Sequence, residues 1–275
     1  MKLSMWSSFY HDLQPEDMVL ELEKYGYTYS EISDEHSVML LDRGDAAEVG
    51  AAFRKFADAH NVQFPQGHLK LSARICDDAD RTYVKRQLDL FKALGTKYAV
   101  LHFDGLDRYG DFDADTIRTR NVKAIRDLIE HIRDTDIVIC LENIHSPKPV
   151  TRTVEQLLWF VEQIGGEHIG ICLYTGHLNL VPEANDPTHF IRTAGKHLKA
   201  LHLADNDGSG DQHLMPSALG QVDFEAVFRE TREIGYDSIY NYEVPGERYI
   251  PLPLRGFKLE YIRELSTYYW EQCGE

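Results

Sequence analysis

The sequence contains few cysteines, and their spacing shows neither a disulfide framework nor a cysteine-based zinc module. There are four thiols, and no two of them form a Cys-x-x-Cys pair. This usage excludes the small disulfide-stapled scaffolds of secreted proteins. Cys140 and Cys172 lie inside apolar segments, where we expect core thiols. The cysteines therefore indicate a reducing compartment, and we expect a cytoplasmic location.

The sequence also lacks a long hydrophobic run. No segment approaches the ~18 consecutive apolar residues that a membrane-spanning helix requires. The first residues, Met1–Trp6, show neither the long apolar region nor the small-residue cleavage site of a signal peptide. We therefore expect no membrane partner.

Positive charge is scarce and scattered. The 29 Lys and Arg residues stand against 45 Asp and Glu residues, which gives a formal net charge of −16. No run of Lys and Arg is longer than two residues. Contacts to phosphates supply most non-specific affinity for nucleic acid. Because a chain of this negative charge repels phosphates, we do not expect it to bind nucleic acid.

Eight short apolar runs organise the 275 residues, and each is followed by a helical pattern. Successive runs begin between 26 and 39 residues apart. The shortest interval separates the first two runs, and an interval of 39 residues separates the fourth from the fifth. Such spacing fits a strand, a loop, a helix and a second loop. The runs begin near Lys2, Thr28, Val62, Tyr98, Ile137, Ile169, Lys199 and Ser238.

This repetition predicts an α/β fold, a single (β/α)₈ TIM barrel that spans residues 1–275 as one domain. The runs from Tyr98 and Ile137 are continuously apolar, as expected for parallel strands covered on both faces. A doubly wound sheet is the alternative, but no Gly-x-Gly-x-x-Gly follows the first strand. Helix signals agree with the repeat: Thr153 and Gln156 match the pattern of a capping box, and Asp223 is predicted to cap a later helix.

Polar residues gather where the predicted strands end. In barrels of this kind, the active site is built at the carboxyl ends of the strands. Imidazoles and carboxylates from five or six strand ends would therefore share one cavity, and these are ligands for Zn²⁺, Mn²⁺ or Co²⁺. Of the first two strands only Glu31 is a candidate, and the later ones are His68, His102, Glu142, Tyr174, His177, His202, Asp211, His213 and Glu243.

Glu142 and Glu243 carry the argument for a metal. An ionised carboxylate that ends an apolar strand inside a barrel is costly unless it has a partner, and a cation is the expected one. We predict one divalent metal site at Glu142, His202 and Glu243. Asp211 and His213 are predicted to hold a second metal or contact the substrate.

The other polar residues at the mouth are assigned to the substrate. We expect His68, His102 and His177 to bind it, with Trp6 on the apolar side of the pocket and Phe103 beside it. The remaining histidines, among them His36, lie off the strand ends and are expected to be surface or local structural residues.

Four segments carry a resemblance to a known family: 141–143, 170–177, 201–208 and 210–214. They resemble the sugar phosphate isomerase/epimerase group of the xylose-isomerase-like TIM-barrel superfamily, which shares its barrel with endonuclease IV. In its epimerases and isomerases, the resemblance implies, Glu, Asp, His and Glu from strands five to eight hold one divalent metal. In the endonuclease IV branch it implies three zinc ions, which also use the positions of His68, His102, His177, Asp211 and His213.

Tyr174 departs from the pattern of that family, which has an aspartate at this position. The phenol is larger, is neutral near pH 7 and is a poor ligand unless its pKa falls far below ~10. Three outcomes follow: a site with three protein ligands and a water, a tyrosinate ligand, or weak metal binding.

The resemblance and the residues together favour a metal-dependent isomerase or epimerase of a small sugar or sugar derivative. Glu142 and Glu243 would act as base and acid, and the metal would stabilise the enediolate. One alternative is a metal-dependent phosphodiesterase resembling endonucleases that act at abasic sites, and another is a degenerate sugar-binding barrel. The expected partner is a small carbohydrate, and self-association is left open.

Overall fold

Eight parallel strands close into a barrel in chain order. This arrangement is seen in a computed structural model, which describes residues 1–106, 110, 112–145 and 150–273. Because the first strand pairs with both the second and the eighth, the sheet is closed. The strands are β1 (Lys2–Trp6), β2 (Tyr29–Ile32), β3 (Gln63–His68), β4 (Tyr98–Leu101), β5 (Val138–Glu142), β6 (Ile169–Tyr174), β7 (Leu198–Leu203) and β8 (Ile239–Tyr242).

The predicted (β/α)₈ barrel is confirmed, and every strand begins within one residue of the predicted start. Helices fill the connections between strands, and the last one follows β8. They are α1 (Pro15–Lys24), α2 (Asp34–Leu41), α3 (Ala46–Ala59), α4 (Asp78–Leu94), α5 (Ala114–Ile132), α6 (Val154–Ile164), α7 (Thr175–Asn179), α8 (Pro187–Ala194), α9 (Phe224–Glu233) and α10 (Leu252–Gln272). Among the described residues, no helix is both long and apolar enough to cross a bilayer.

The local helix signals are also confirmed. Thr153 and Gln156 form both hydrogen bonds of a capping box at the start of α6. The Asp223 side chain accepts a hydrogen bond from the backbone of Ala226 at the start of α9. These caps satisfy backbone N–H groups that have no partner within the helix, and they thereby fix where each helix leaves the barrel.

Successive side chains of the central strands point to opposite faces of the sheet and belong to two different apolar clusters. One cluster contains Leu141, Leu173 and Leu201 and includes residues of the surrounding helices. The intervening positions form a small separate cluster inside the barrel: Val100, Val138, Cys140, Cys172 and Ala200. Since side chains alternate across a strand, the next interior positions towards the carboxyl ends are Glu142, Tyr174 and His202.

His36, expected to be a surface or local structural residue, is fully buried at the start of α2. Its Nδ1 lies 2.9 Å from the Ser7 hydroxyl, and its Nε2 lies 3.3 Å from the carbonyl oxygen of Leu13. Burial lowers the pKa of His36 from 6.5 to about 4. The imidazole is therefore neutral in the folded protein at pH 7.

We expect His36 to make the fold sensitive to acid. The unfolded chain binds more protons than the folded one between pH 6.5 and about 4, so the stability from this group is present above pH 6.5 and is lost as the pH falls. The loss at pH 4.5 should be about 2 to 3 kcal/mol. Urea unfolding at pH 7 and pH 4.5 measures it, with His36→Gln as the non-titrating control. An equal loss in both proteins would contradict the assignment.

Candidate active site

The side chains predicted at the strand ends meet at the carboxyl end of the barrel. Most of them are removed from solvent, with exposed fractions between 0% and 6%. His102, Asp211 and His213 are more open, with about a quarter of each side chain exposed. The buried members are Glu31, His68, Glu142, Tyr174, His177, His202 and Glu243.

His202 lies at the centre of a buried group of carboxylates. Its Nδ1 is 2.9 Å from Oε2 of Glu142 and 3.6 Å from Oε2 of Glu243. Its Nε2 is 2.8 Å from Oε2 of Glu31 on the other side of the ring. Both glutamates of the predicted metal site therefore face the same ring nitrogen of His202, and Glu31 orients the ring from its other side.

The protonation state of this group depends on its carboxylates. Burial by itself lowers the pKa of His202, but its negative neighbours, among them Glu31, Glu243 and Glu142, raise the pKa well above 6.5. Burial raises the pKa of Glu243, and the nearby charge of Glu142 adds to it. Burial acts on Glu142 in the same direction, but the imidazoles of His102 and His202 hold its pKa well below the usual range.

These side chains fit a divalent cation. In a neutral His202 ring whose Nε2–H donates a hydrogen bond to Glu31, the lone pair of Nδ1 points towards Glu142 and Glu243. A lone pair and two carboxylates then face one another, and only a proton or a cation between them relieves the repulsion. Metal-binding histidines commonly donate their other ring N–H to a carboxylate in this way.

His68 and His102 face the same carboxylate of Glu142. Nδ1 of His68 is 2.5 Å from the carbonyl oxygen of Leu69 and must donate there, so a neutral ring has its lone pair on Nε2. That nitrogen is buried without a hydrogen-bond partner, 3.6 Å from Glu142 Oε2. Nε2 of His102 is 3.3 Å from Glu142 Oε1. Ligand atoms of these three residues all lie within 4.8 Å of one another, close enough to hold a metal ion.

A second group of side chains surrounds Asp211. Its Oδ2 lies 3.2 Å from Nε2 of His177 and 3.3 Å from Nε2 of His213. The other ring nitrogens face main-chain carbonyls, of Asn143 at 2.9 Å and of Glu243 at 2.8 Å. Burial opposes protonation of both histidines. Asp211, together with Glu142 near His177 and Glu243 near His213, outweighs it and raises each pKa to about 9. Asp211, His177 and His213 therefore form one compact ion-paired group beside the His202 centre.

Tyr174 extends towards this second group. Its hydroxyl donates to Oδ1 of Asp211 at 2.8 Å and also contacts the ring of His213. Burial, reinforced by the charges of Glu243 and Asp211, raises its pKa well above 10. The side chain is therefore a neutral phenol directed at Asp211, which argues against a tyrosinate at this position.

A folded loop between β7 and α9 presents Asp211 and His213. The Asp205 carboxylate closes the loop by accepting hydrogen bonds from the backbone N–H groups of Ser217 at 2.9 Å and Val222 at 3.0 Å. His213 has a φ of 49°, a left-handed conformation that is uncommon for a residue with a side chain. The loop thus holds this imidazole in place at some conformational cost.

The two aromatic residues expected near the pocket differ in position. Trp6 is half-buried, and its ring lies nearly parallel to that of His213, with centroids 6.3 Å apart. Phe103 packs in a separate apolar cluster with Leu106, Ile117 and Val150. Trp6 therefore borders the site, whereas the described contacts of Phe103 are with the loops and helix beside it.

Two contributors to the site were missed by sequence reasoning. Gln66 donates through Nε2 to Glu31 and to the carbonyl oxygen of Leu201, and so it supports the carboxylate that orients His202. Cys172, expected to be a core thiol, forms a group with Glu142 and His202 whose ligand atoms all lie within 4.8 Å. Position gives the only signal for Gln66: it precedes His68 by two residues and therefore shares its face of β3.

Comparison with curated proteins finds relatives of low identity. D-psicose 3-epimerase from Enterocloster bolteae is 27% identical over 194 residues, which are 66% of this chain and 62% of that protein. An uncharacterized protein from Methanocaldococcus jannaschii is 31% identical over 131 residues, 46% of this chain and 43% of that protein. The chain thus aligns with about half of the length of such relatives.

Solved structures match over nearly the whole chain. D-psicose 3-epimerase from Clostridium cellulolyticum H10, determined with D-tagatose, has a TM-score of 0.82 and 15% identity over 98% of this chain and 99% of that one. The apo form of 3-keto-D-glucoside 4-epimerase from E. coli has a TM-score of 0.77 and 16% identity, over 96% of this chain and 99% of that one. At such identities the match concerns the fold.

The family comparison covers most of the sequence, and it agrees with both the closed barrel and the resemblance carried by the strand-end motifs. The model of the xylose isomerase-like TIM barrel family matches residues 19–265, so the chain belongs to that family.

Proposed function

We propose that this protein is a divalent-metal-dependent isomerase or epimerase that acts on a small sugar or sugar derivative. The observation that carries the proposal is the pair of buried carboxylates, Glu142 and Glu243, which both face Nδ1 of His202. Each carboxylate lies next to the proposed metal position, and each can also accept a proton from the substrate or return one to it. That combination suits the exchange of a proton on a carbon next to a carbonyl group.

The residues divide the work of such a reaction. Glu142, His202 and Glu243 would hold the cation, and Glu31 would keep the imidazole in the orientation that binds it. The cation would supply electrostatic stabilisation of the negative charge that develops on the substrate oxygen. Glu142 and Glu243 would remove and return the proton, and His177 would orient a substrate hydroxyl group.

The comparisons support a sugar as the substrate class. The curated relatives include a D-psicose 3-epimerase and a ketose 3-epimerase from Arthrobacter globiformis, the latter 24% identical over 161 residues, 58% of this chain and 53% of that protein. A keto sugar places a carbonyl next to a carbon that bears both hydrogen and hydroxyl, which is the arrangement that two carboxylates and a cation can process. We infer a ketose or its derivative as the first substrate to test.

A hydrolase of phosphodiesters is the second candidate. It is favoured by the two additional ligand groups around the centre, His68 and His102 with Glu142, and His177 and His213 with Asp211. Against it stand the net charge of −16 and the neutral phenol that replaces a carboxylate at Tyr174. Metal-dependent cleavage of an abasic duplex would support this candidate, and sugar binding without proton exchange would support a non-catalytic barrel.

We predict a bound divalent metal among Glu142, His202 and Glu243. Crystals grown with Mn²⁺ or Zn²⁺ should show an anomalous peak within ~2.5 Å of these side chains, since metal–ligand bonds fall in that range. A well-ordered crystal with all three side chains in density and no anomalous peak among them would contradict the metal site.

We predict that Glu142→Gln and Glu243→Gln each lower solvent-deuterium exchange into the sugar by at least roughly 10²-fold, because each removes a proton-transfer group. Mass spectrometry of a ketose incubated in D₂O measures the exchange. Metal content must be determined alongside, since both changes also remove a ligand charge. Glu230→Gln is the matched control: that carboxylate is buried too, but it pairs with Arg192 outside the site. Near wild-type exchange in either glutamine variant with metal bound would rule out the two-carboxylate mechanism.

We predict that Tyr174→Asp tightens divalent-metal binding by about 10-fold or more, the effect of ~1.4 kcal/mol, because it adds a charged ligand beside Glu142. The gain should be largest at neutral pH, where the new carboxylate is ionised. Tyr174→Phe is the control, since it removes only the hydroxyl that bonds Asp211. Calorimetric titration gives the affinity, and thermal unfolding without metal reports any cavity cost. Unchanged or weaker affinity in a folded Tyr174→Asp protein would show that Tyr174 does not occupy a vacated ligand position.

A further inference from the structure

Cys172 lies beside two of the predicted metal ligands. On β6 it pairs in register with Glu142 of β5, while Tyr174, two residues further on, pairs with His202 of β7. Residues two apart on a strand face the same side, so Cys172 and Tyr174 both face the interior of the barrel. The thiol and the phenol therefore approach the centre from successive levels of the same strand.

The thiol is within ligand range of the centre. Sγ of Cys172 and ligand atoms of Glu142 and His202 all lie within 4.8 Å of one another, and all three side chains are buried. Ligands around one zinc ion are separated by somewhat less than that, because a Zn–S bond is ~2.3 Å and a Zn–N bond ~2.0 Å. Small rotations of Cys172 and Glu142 would thus bring the three onto one cation.

Cys140 provides the contrast. It occupies an interior position on β5, belongs to the same small apolar cluster as Cys172 and is equally buried. Its Sγ is directed towards the carbonyl oxygen of Val138, at 3.6 Å. Among the described residues, the groups that could hold a metal include Cys172 and not Cys140. The proximity of Cys172 to the centre is therefore a property of its position, not of interior cysteines in general.

We propose that Cys172 is an additional ligand of the catalytic metal beside Glu142 and His202, and that its thiolate makes the centre prefer thiophilic Zn²⁺ to Mn²⁺. The inference rests on the metal-dependent function proposed above and specifies its metal. On binding, the S–H bond of Cys172 breaks, the sulfur bonds the cation, and the proton leaves to solvent. Thiolate is a soft ligand and shifts the preference of a site towards zinc, whereas Mn²⁺ prefers oxygen.

X-ray absorption at the zinc edge tests this directly. The protein loaded with one equivalent of Zn²⁺ should show one sulfur at ~2.3 Å from the metal. The sulfur should vanish in Cys172→Ser and persist in Cys140→Ser. By competition titration, the preference for Zn²⁺ over Mn²⁺ should fall about 10-fold or more in Cys172→Ser and stay unchanged in Cys140→Ser.

A second variant makes the test independent of whether Cys172→Ser folds. In the triple variant Cys76→Ser, Cys140→Ser and Cys273→Ser, Cys172 is the one remaining thiol, so a cysteine sulfur at the zinc must be its own. Zinc bound with only nitrogen and oxygen neighbours, in this variant and in the wild type, would overturn the role of Cys172 and leave the proposed isomerase intact. A wild-type protein that binds no divalent metal would overturn both proposals.

Discussion

The contact between His202 and two buried carboxylates is the interaction on which the rest of the site depends. Glu142 and Glu31 lie on opposite sides of the ring, at 2.9 and 2.8 Å, and all three side chains are shielded from water. Charges in such a place are costly unless each has a partner. The imidazole contacts both carboxylates at once, so replacing it would take a partner from each of them. Glu31 would keep the amide of Gln66, and Glu142 would keep its contact with His102. His68 at the end of β3, His102 just after β4 and Glu243 just after β8 lie around the same centre.

Much of the fold and part of the site could be predicted from local pattern. Eight apolar runs gave the strands, and the rule that barrel sites lie at strand carboxyl ends identified Glu142, His202 and Glu243. Glu31, in contrast, binds a ring 171 residues later in the chain, and its partner depends on barrel closure. The β6 run is apolar throughout, so nothing in it shows that Cys172 lies against the centre. These contacts depend on register and tertiary geometry, which no local pattern contains.

Tyr174 connects two parts of the site that have different origins. Glu142 and His202 are held by the strands of the barrel, whereas Asp211 and His213 belong to a loop. The phenol sits on the last residue of β6 and donates to Asp211, so it joins the rigid part to the loop. An aspartate there would be too short to make the same bridge and would face the loop with a like charge. Tyrosine at this position therefore provides a connection between the two groups.

The hydrogen bonds that Asp205 accepts across its loop affect how this barrel can change over evolution. By accepting hydrogen bonds from Ser217 and Val222, Asp205 ties the two ends of the loop together at its base. Apart from Asp211 and His213, the residues between those ends can then vary in sequence without disturbing the register of the strands below. A descendant could thus acquire a different outer surface at the mouth of the barrel, while the polar side chains on the strands stayed where they are. These hydrogen bonds allow the outer loop to change separately from the side chains on the strands.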